Sequence, residues 1–268
     1  MELLFKQKSD AKWYVILDDD TFVIKSSLLA VLSHLNPEQP HYIGNAVGDY
    51  KARFAHGGSG VVLSGAAMRH LFDKPDIVAE AYLKSLDVTW GDKLVATTFQ
   101  KLGIYLDEQL SHYFNGDSPL VTHISADRFC SPILSFHGLR GSEEMRGVGI
   151  ALRGRESPVL WGQLWDLFGT SRLNKLADTP IAIGHDHVGR RDERTKSWGG
   201  ISSSEACSSK CGEYANNWCL AWAFDIGTQE CHASPWMIIG TSDNKKTSSG
   251  VIWSRISPMI DDCQRLYE

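Results

Sequence analysis

The chain has 268 residues, 43% of them hydrophobic and 22% charged, the length and composition of one large or two ordinary globular domains. A net charge of −5 excludes a general electrostatic attraction to nucleic acid and leaves only a local basic patch as a route to it. No apolar stretch is long enough to span a bilayer, and the start, Met1-Glu2-Leu3-Leu4-Phe5-Lys6, lacks the form of a signal peptide, so nothing in the sequence addresses the chain to a compartment.

The first predicted element is the apolar run Trp13-Tyr14-Val15-Ile16-Leu17, which reads as a strand buried on both faces. It ends in Asp18, Asp19 and Asp20, where the ligand crevice of an α/β sheet lies. Three adjacent acids repel one another, and keeping them ionised beside a core calls for a cation. A divalent metal holding an anionic substrate answers that need. The competing reading is an acidic turn in solvent. A second apolar stretch, Thr21-Phe22-Val23-Ile24, follows at once without the Gly, Pro or Asn of an ordinary turn, and this favours the metal.

Ser26 or Ser27 is then expected to cap a helix carrying Leu28, Val31, Leu32 and Leu35, stopped by Pro37. Tyr42-Ile43-Gly44 reads as a short strand. Phe54-Ala55-His56-Gly57-Gly58-Ser59-Gly60 is a glycine-rich turn feeding the strand Val61-Val62-Leu63-Ser64, and from Ser64 a helix carries Met68, Leu71 and Phe72. Further helices are predicted from Asp76 to Leu86 and from Gly91-Asp92, the latter with Val95, Phe99 and Leu102 on one face and Gly103 as its left-handed stop. Ser131-Pro132-Ile133-Leu134-Ser135-Phe136-His137-Gly138 is a short strand ending in a histidine and a glycine. This alternation of strands and helices argues an α/β layer fold. Taken singly, Asp92 is equally a helix-stabilising first-turn residue, and His137 a satisfied histidine at a strand end. The glycines Gly57, Gly58 and Gly60 lack the Gly-Lys-Ser/Thr ending of a phosphate loop.

Trp161, Leu164, Trp165 and Phe168 mark a short amphipathic helix, and residues 170–182 carry too little pattern for more than a linker. Beyond it come several tryptophans, serine-glycine turns and a crowd of cysteines: Cys207, Cys211, Cys219, Cys231 and Cys263, against Cys130 alone before them. Their spacing lacks the paired Cys-x-x-Cys of zinc knuckles, so disulfides in an oxidising compartment rank above zinc. His185-Asp186-His187 reads as an exposed turn.

Four segments, Trp13 to Phe22, Phe54 to Gly60, Trp90-Gly91-Asp92 and Phe136-His137-Gly138, together resemble the fringe-like inverting β-1,3-glycosyltransferases of family 31. More narrowly, they resemble the fungal relatives of core-1 galactosyltransferase. The resemblance spans roughly residues 10 to 168 and implies a GT-A-like nucleotide-diphospho-sugar transferase domain. It implies that Asp20 is the principal ligand of a manganese ion on the diphosphate of a UDP-sugar, with Asp18 beside it and Asp19 orienting waters or ribose, and that His137 is the second protein ligand. Asp92 matches the general base that deprotonates the acceptor hydroxyl. Gly57, Gly58 and Gly60 match the turn that lets backbone approach the donor sugar. Two departures stand out. Trp90 occupies the position of a cysteine that the fungal relatives pair with one near Cys130, which leaves Cys130 unpaired. The chain also starts only about a dozen residues before the aspartate strand, so the N-terminal strands of the nucleotide pocket are expected to be absent.

The remainder resembles an apple or PAN module, on Ser204 to Cys211, Trp218 to Asp225, Cys231-His232-Ala233 and Ser249 to Trp253. That pattern implies the disulfides Cys207–Cys231 and Cys211–Cys219 and leaves Cys263 over. The expected organisation is a transferase domain over residues 1–169, a linker over 170–182 and a small α+β module over 183–268. The expected activity is transfer of galactose or N-acetylglucosamine from a UDP-sugar to a glycan or glycoprotein hydroxyl, in the Golgi lumen, with membrane attachment only through an anchor outside this chain. The alternative is a carbohydrate- or protein-binding protein retaining half a transferase. A two-carboxylate glycosidase ranks third, since adjacent aspartates on one strand do not flank a sugar from opposite sides.

Overall fold

The computed structural model describes residues 1–49, 53–241 and 246–267. It divides into two compact units, Met1–Asp117 with Ile133–Pro158, and Ser118–Pro132 with Val159–Glu268. Residues 118–132 and 159–169, placed with the first domain on sequence, group instead with the second unit. The reason is local pairing: Pro132 bridges Leu160, Trp161 donates to the Ser131 carbonyl and Gly162 to that of Phe129.

In the first unit, α1 (Glu2–Gln7) leads to β1 (Trp13–Ile16), β2 (Phe22–Val23) and α2 (Lys25–Leu32). Next come β3 (Tyr42–Gly44), β4 (Ala46–Val47), β5 (Phe54–Ala55) and β6 (Val61–Ser64). Helices α3 (Gly65–Phe72), α4 (Pro75–Lys84) and α5 (Gly91–Gln100) follow. The main sheet has the order β1-β6-β3, antiparallel throughout, with Tyr14 opposite Leu63 and Leu63 opposite Tyr42. Side chains alternate between its faces. Tyr14, Tyr42, Val61 and Leu63 join Met68 and Phe99 in one cluster, while Ile43 and Val62 join Val31, Leu32, Phe114 and Leu134 in another. The central β6 is wholly buried. β1 also sends side chains to both clusters, as its continuous apolar run predicts, but only Tyr14 is fully buried and Leu17 is exposed. The expectation of a strand buried on both faces is corrected by its position, because β1 has a single neighbour in the described sheet and lies at the edge.

Helix starts follow the sequence where a side chain does the capping. The Ser64 hydroxyl accepts from Ala67 at the start of α3. Ser26 and Ser27, by contrast, lie inside α2, whose entry is the buried Ile24, held by its N–H on the Leu134 carbonyl at 2.9 Å. Strand pairing there replaces a cap. Gly103 ends the turn after α5 with φ +73°, as its position predicts.

The second unit is built on a five-stranded antiparallel sheet. Its spatial order is Lys196–Trp198, Glu230–Ser234, Ala221–Asp225, Thr247–Val251, Ala182–Ile183. The helix Ser204–Gly212 is bonded to this sheet by Cys207–Cys231, and its end is closed by Cys211–Cys219, the pairing that the resemblance implied. Cys130 and Cys263 are not left over: they form a third disulfide, joining the Ala126–Arg128 turn region to the C-terminal helix Trp253–Tyr267. Trp90 therefore leaves no thiol unpaired, because the partner of Cys130 lies 133 residues onward. The Arg255 guanidinium fastens the same helix by donating to the carbonyls of Cys211, Gly212, Tyr214 and Cys219. Within the predicted linker, Leu173–Ala177 forms a 3-10 turn with Leu173 and Leu176 buried.

His185-Asp186-His187 is not an exposed turn. His187 is 3% exposed, and its Nδ1 lies 3.2 Å from the Ile238 carbonyl. Burial, and after it the neighbouring His185, push the imidazole down to about 4.

Two measurements follow. Replacing Cys130 and Cys263 together by serine is expected to destabilise the second unit by ~2–5 kcal/mol. Tryptophan fluorescence in denaturant reads this, since seven of the nine tryptophans lie there. The His187 shift has a definite sign. Between its ordinary value of 6.5 and about 4, the unfolded chain binds a proton that the folded unit refuses, so stability falls as pH falls through that window. The expected loss is ~3 kcal/mol, and His187→Gln should flatten that part of the pH profile.

Candidate functional site

The pairing of β2 with Ser135–Phe136 sets Phe22 opposite Phe136 and Val23 opposite Ser135. Continued outward, that register brings Asp20 to the segment after the strand, where its carbonyl accepts from Leu139 at 3.1 Å. The His137 Nε2 then lies 3.3 Å from Asp20 Oδ1. Asp18 completes the group: one ligand atom from each of Asp18, Asp20 and His137 lies within 4.8 Å of the others. Asp19 is exposed and outside this group.

The donor set suits a cation. His137 Nδ1 faces the Gly116 carbonyl at 3.1 Å and so carries the ring proton, which turns the lone pair of Nε2 toward Asp20. Lone pairs of an imidazole and two carboxylates converging at this range oppose one another unless a positive charge sits among them. Both Asp20 and His137 keep about a quarter of their side chains in solvent, leaving an approach to the cluster.

The glycine turn Gly57–Ser59 lies against this cluster, and hydroxyls hold it. The Thr21 hydroxyl donates to the Gly58 carbonyl at 2.8 Å, and the Ser135 hydroxyl donates to that of Ser59 at 2.6 Å. The Ser59 Oγ accepts from Asn45 Nδ2 at 3.0 Å and lies 2.9 Å from His56 Nδ1. On the other side the Asp92 carboxylate accepts the Gly57 N–H at 2.8 Å. Asp92 stands in the first turn of α5. The absence of side chains on the turn is required. A Cβ on Gly58 would overlap the His137 imidazole, and one on Gly57 would sit 2.6 Å from Asp92 Oδ1. Gly60 carries φ +90°, a conformation that other residues enter at a cost. Tyr42 supports the arrangement from below: its hydroxyl accepts from Ala55, and burial pushes the phenol up to about 12, so it stays neutral.

The structure thus brings together Asp18, Asp20, His137, Gly57, Gly58 and Asp92 around one turn. Thr21, Asn45, Ser59, Gly116 and Ser135 were missed on sequence, although Thr21, Ser59 and Ser135 lie inside or beside the motifs and carry the hydroxyls that a tight turn needs. His56, left outside the catalytic set, packs edge-on to His137 with ring centres 5.2 Å apart.

The α/β unit thus sets an acidic and imidazole cluster beside a glycine turn and a helix-start carboxylate. Residues 2–106 match the family model described as Fringe-like, so the domain in that stretch is fringe-like and of the glycosyltransferase class, which works on a sugar donor and a glycan acceptor. The matched region contains the aspartates, the glycine turn and Asp92. His137 lies beyond it and is joined to it by strand pairing.

Gly58→Ala is expected to destabilise the first unit by ~1–3 kcal/mol through the clash with His137, and to move the His137 ring resonances in NMR. Gly91→Ala, where an added Cβ meets nothing within 4 Å, is the control and is expected to be neutral or slightly stabilising.

Proposed function

We propose that the chain is an inverting β-1,3-type glycosyltransferase that moves galactose or N-acetylglucosamine from a UDP-sugar to a hydroxyl of a glycan or glycoprotein. The observation that supports it most is the convergence of Asp18, Asp20 and His137 on one side of the glycine turn with the Asp92 carboxylate on the other. In this reading Asp18, Asp20 and His137 hold a manganese ion, which stabilises the charge on the departing diphosphate. Asp19, exposed beside them, faces the donor.

Asp92 takes the acceptor's proton. Its Oδ2 is held by the Gly57 N–H, which fixes the carboxylate and leaves Oδ1 as the basic oxygen. The bare Gly57 and Gly58 let a sugar lie against backbone between base and metal ligands. The sheet and cross-linked helix of the second unit are proposed as an apple or PAN-like module. Three disulfides fit an oxidising compartment such as the Golgi lumen. No helix among the described residues is long and apolar enough to cross a membrane.

Release of UDP from UDP-galactose and UDP-N-acetylglucosamine, with and without manganese, tests the reading. Asp92→Asn should lower kcat by about 10²–10⁴-fold while donor binding persists. Asp20→Asn should reduce manganese affinity. Equal turnover of wild type and Asp92→Asn removes Asp92 from the mechanism, and absence of any metal-dependent donor binding sinks the transferase reading.

A further inference from the structure

His56 opens the glycine turn, between the two halves of the candidate site. The residue after it, Gly57, is bonded to the Asp92 carboxylate, and its own ring packs edge-on to His137. Its backbone is fixed there independently of the ring: the N–H lies on the Asn45 carbonyl at 2.9 Å, and the carbonyl accepts from the Ser59 N–H at 3.1 Å. The imidazole, half-buried, has no task in the function proposed above.

The tautomer of that ring follows from the buried hydroxyl beside it. Ser59 has no exposed surface, and its Oγ has two polar neighbours, Asn45 Nδ2 at 3.0 Å and His56 Nδ1 at 2.9 Å. The amide donates to the oxygen, so the hydroxyl's own proton has one acceptor within reach, His56 Nδ1. Nδ1 therefore accepts, and the ring carries its proton on Nε2. That N–H has no hydrogen-bond partner among the described residues, and the nitrogen is open to solvent rather than sealed in the core. An accessible donor is thus held in a fixed direction by Ser59 and Asn45.

The neighbouring groups indicate what it meets. Asp18, Asp20 and His137 converge with lone pairs, an arrangement that suits a cation and, with it, an anionic ligand rich in acceptor oxygens. Such a ligand finds in His56 an N–H beside one of the three convergent residues. We propose that His56 is a binding residue of the nucleotide-sugar site whose Nε2–H bonds an oxygen of the UDP diphosphate, with Ser59 and Asn45 as positioning residues that hold it in the donating tautomer. The inference rests on the transferase reading of the same site.

Two substitutions separate this role from packing of the turn, because the side-chain amide of Asn takes the place of Nδ1 and that of Gln the place of Nε2. His56→Asn keeps a partner for Ser59 and loses the outer N–H, whereas His56→Gln does the reverse. The full chain is titrated calorimetrically with UDP, UDP-galactose and UDP-N-acetylglucosamine in the presence of manganese, and the ring nitrogens of His56 are read by NMR in the free protein. The free ring should be protonated on Nε2. His56→Asn should bind UDP about tenfold more weakly, and His56→Gln should recover most of that loss. A residue that only packs the turn gives the opposite order, with Asn harmless and Gln damaging, and that order overturns the proposal. A free ring protonated on Nδ1 overturns it as well, as does a loss confined to the UDP-sugars, which places the contact on the sugar. If the wild type binds no UDP with manganese, the transferase reading falls and this inference with it. If the wild type binds UDP and His56→Asn binds it equally well, this inference alone falls.

Discussion

The antiparallel pairing of Phe22–Val23 with Ser135–Phe136 is the contact on which the candidate transferase site depends. It is short, and its register is extended by backbone bonds on both sides, from Ile24 to the Leu134 carbonyl and from Leu139 to that of Asp20. A slip of one residue would turn Asp20 and His137 to opposite faces. The register is set by the buried Phe136 and Ile24, which have only one way into the core. Hydrophobic packing thus fixes the separation of two polar groups that do not themselves favour meeting.

Much of the first unit can be read directly because its signals are local. The apolar run of β6, the Ser64 cap and the Gly103 stop each depend on residues within a few positions. The errors arise where a distant segment decides. Ser26 and Ser27 are competent caps, but pairing of the preceding residues starts α2 earlier. Cys130 finds Cys263 across most of the chain. His185 and His187 sit in a hydrophilic stretch, yet residues 165 and 238–240 enclose them. The site itself was legible as a set of acids, glycines and a histidine only through the order of four motifs. The hydroxyls of Thr21, Ser59 and Ser135 left no trace, since an isolated serine or threonine has no period and no characteristic spacing.

The two units hold themselves together by different means. The first contains no cysteine and relies on apolar clusters packed on both faces of its sheet. All six cysteines belong to the second, where three disulfides add to the apolar cluster around Trp222 and Phe224. Such cross-links restrict its unfolded chain.

The glycine turn shows the reverse relation between stability and site. Gly57, Gly58 and Gly60 each raise the entropy lost on folding, and a larger residue would restrict the unfolded chain more. At Gly58 that gain is forbidden by the His137 ring, and at Gly60 by a positive φ. The turn is instead stabilised from outside by Thr21, Ser135 and Asp92, whose bonds to its carbonyls and N–H replace what side-chain packing would supply. The Asp92 carboxylate sets Oδ2 on the turn and Oδ1 facing it, so it has little freedom to rotate. Under the proposed function, a base whose orientation is fixed before the acceptor arrives needs no reorganisation when the proton moves.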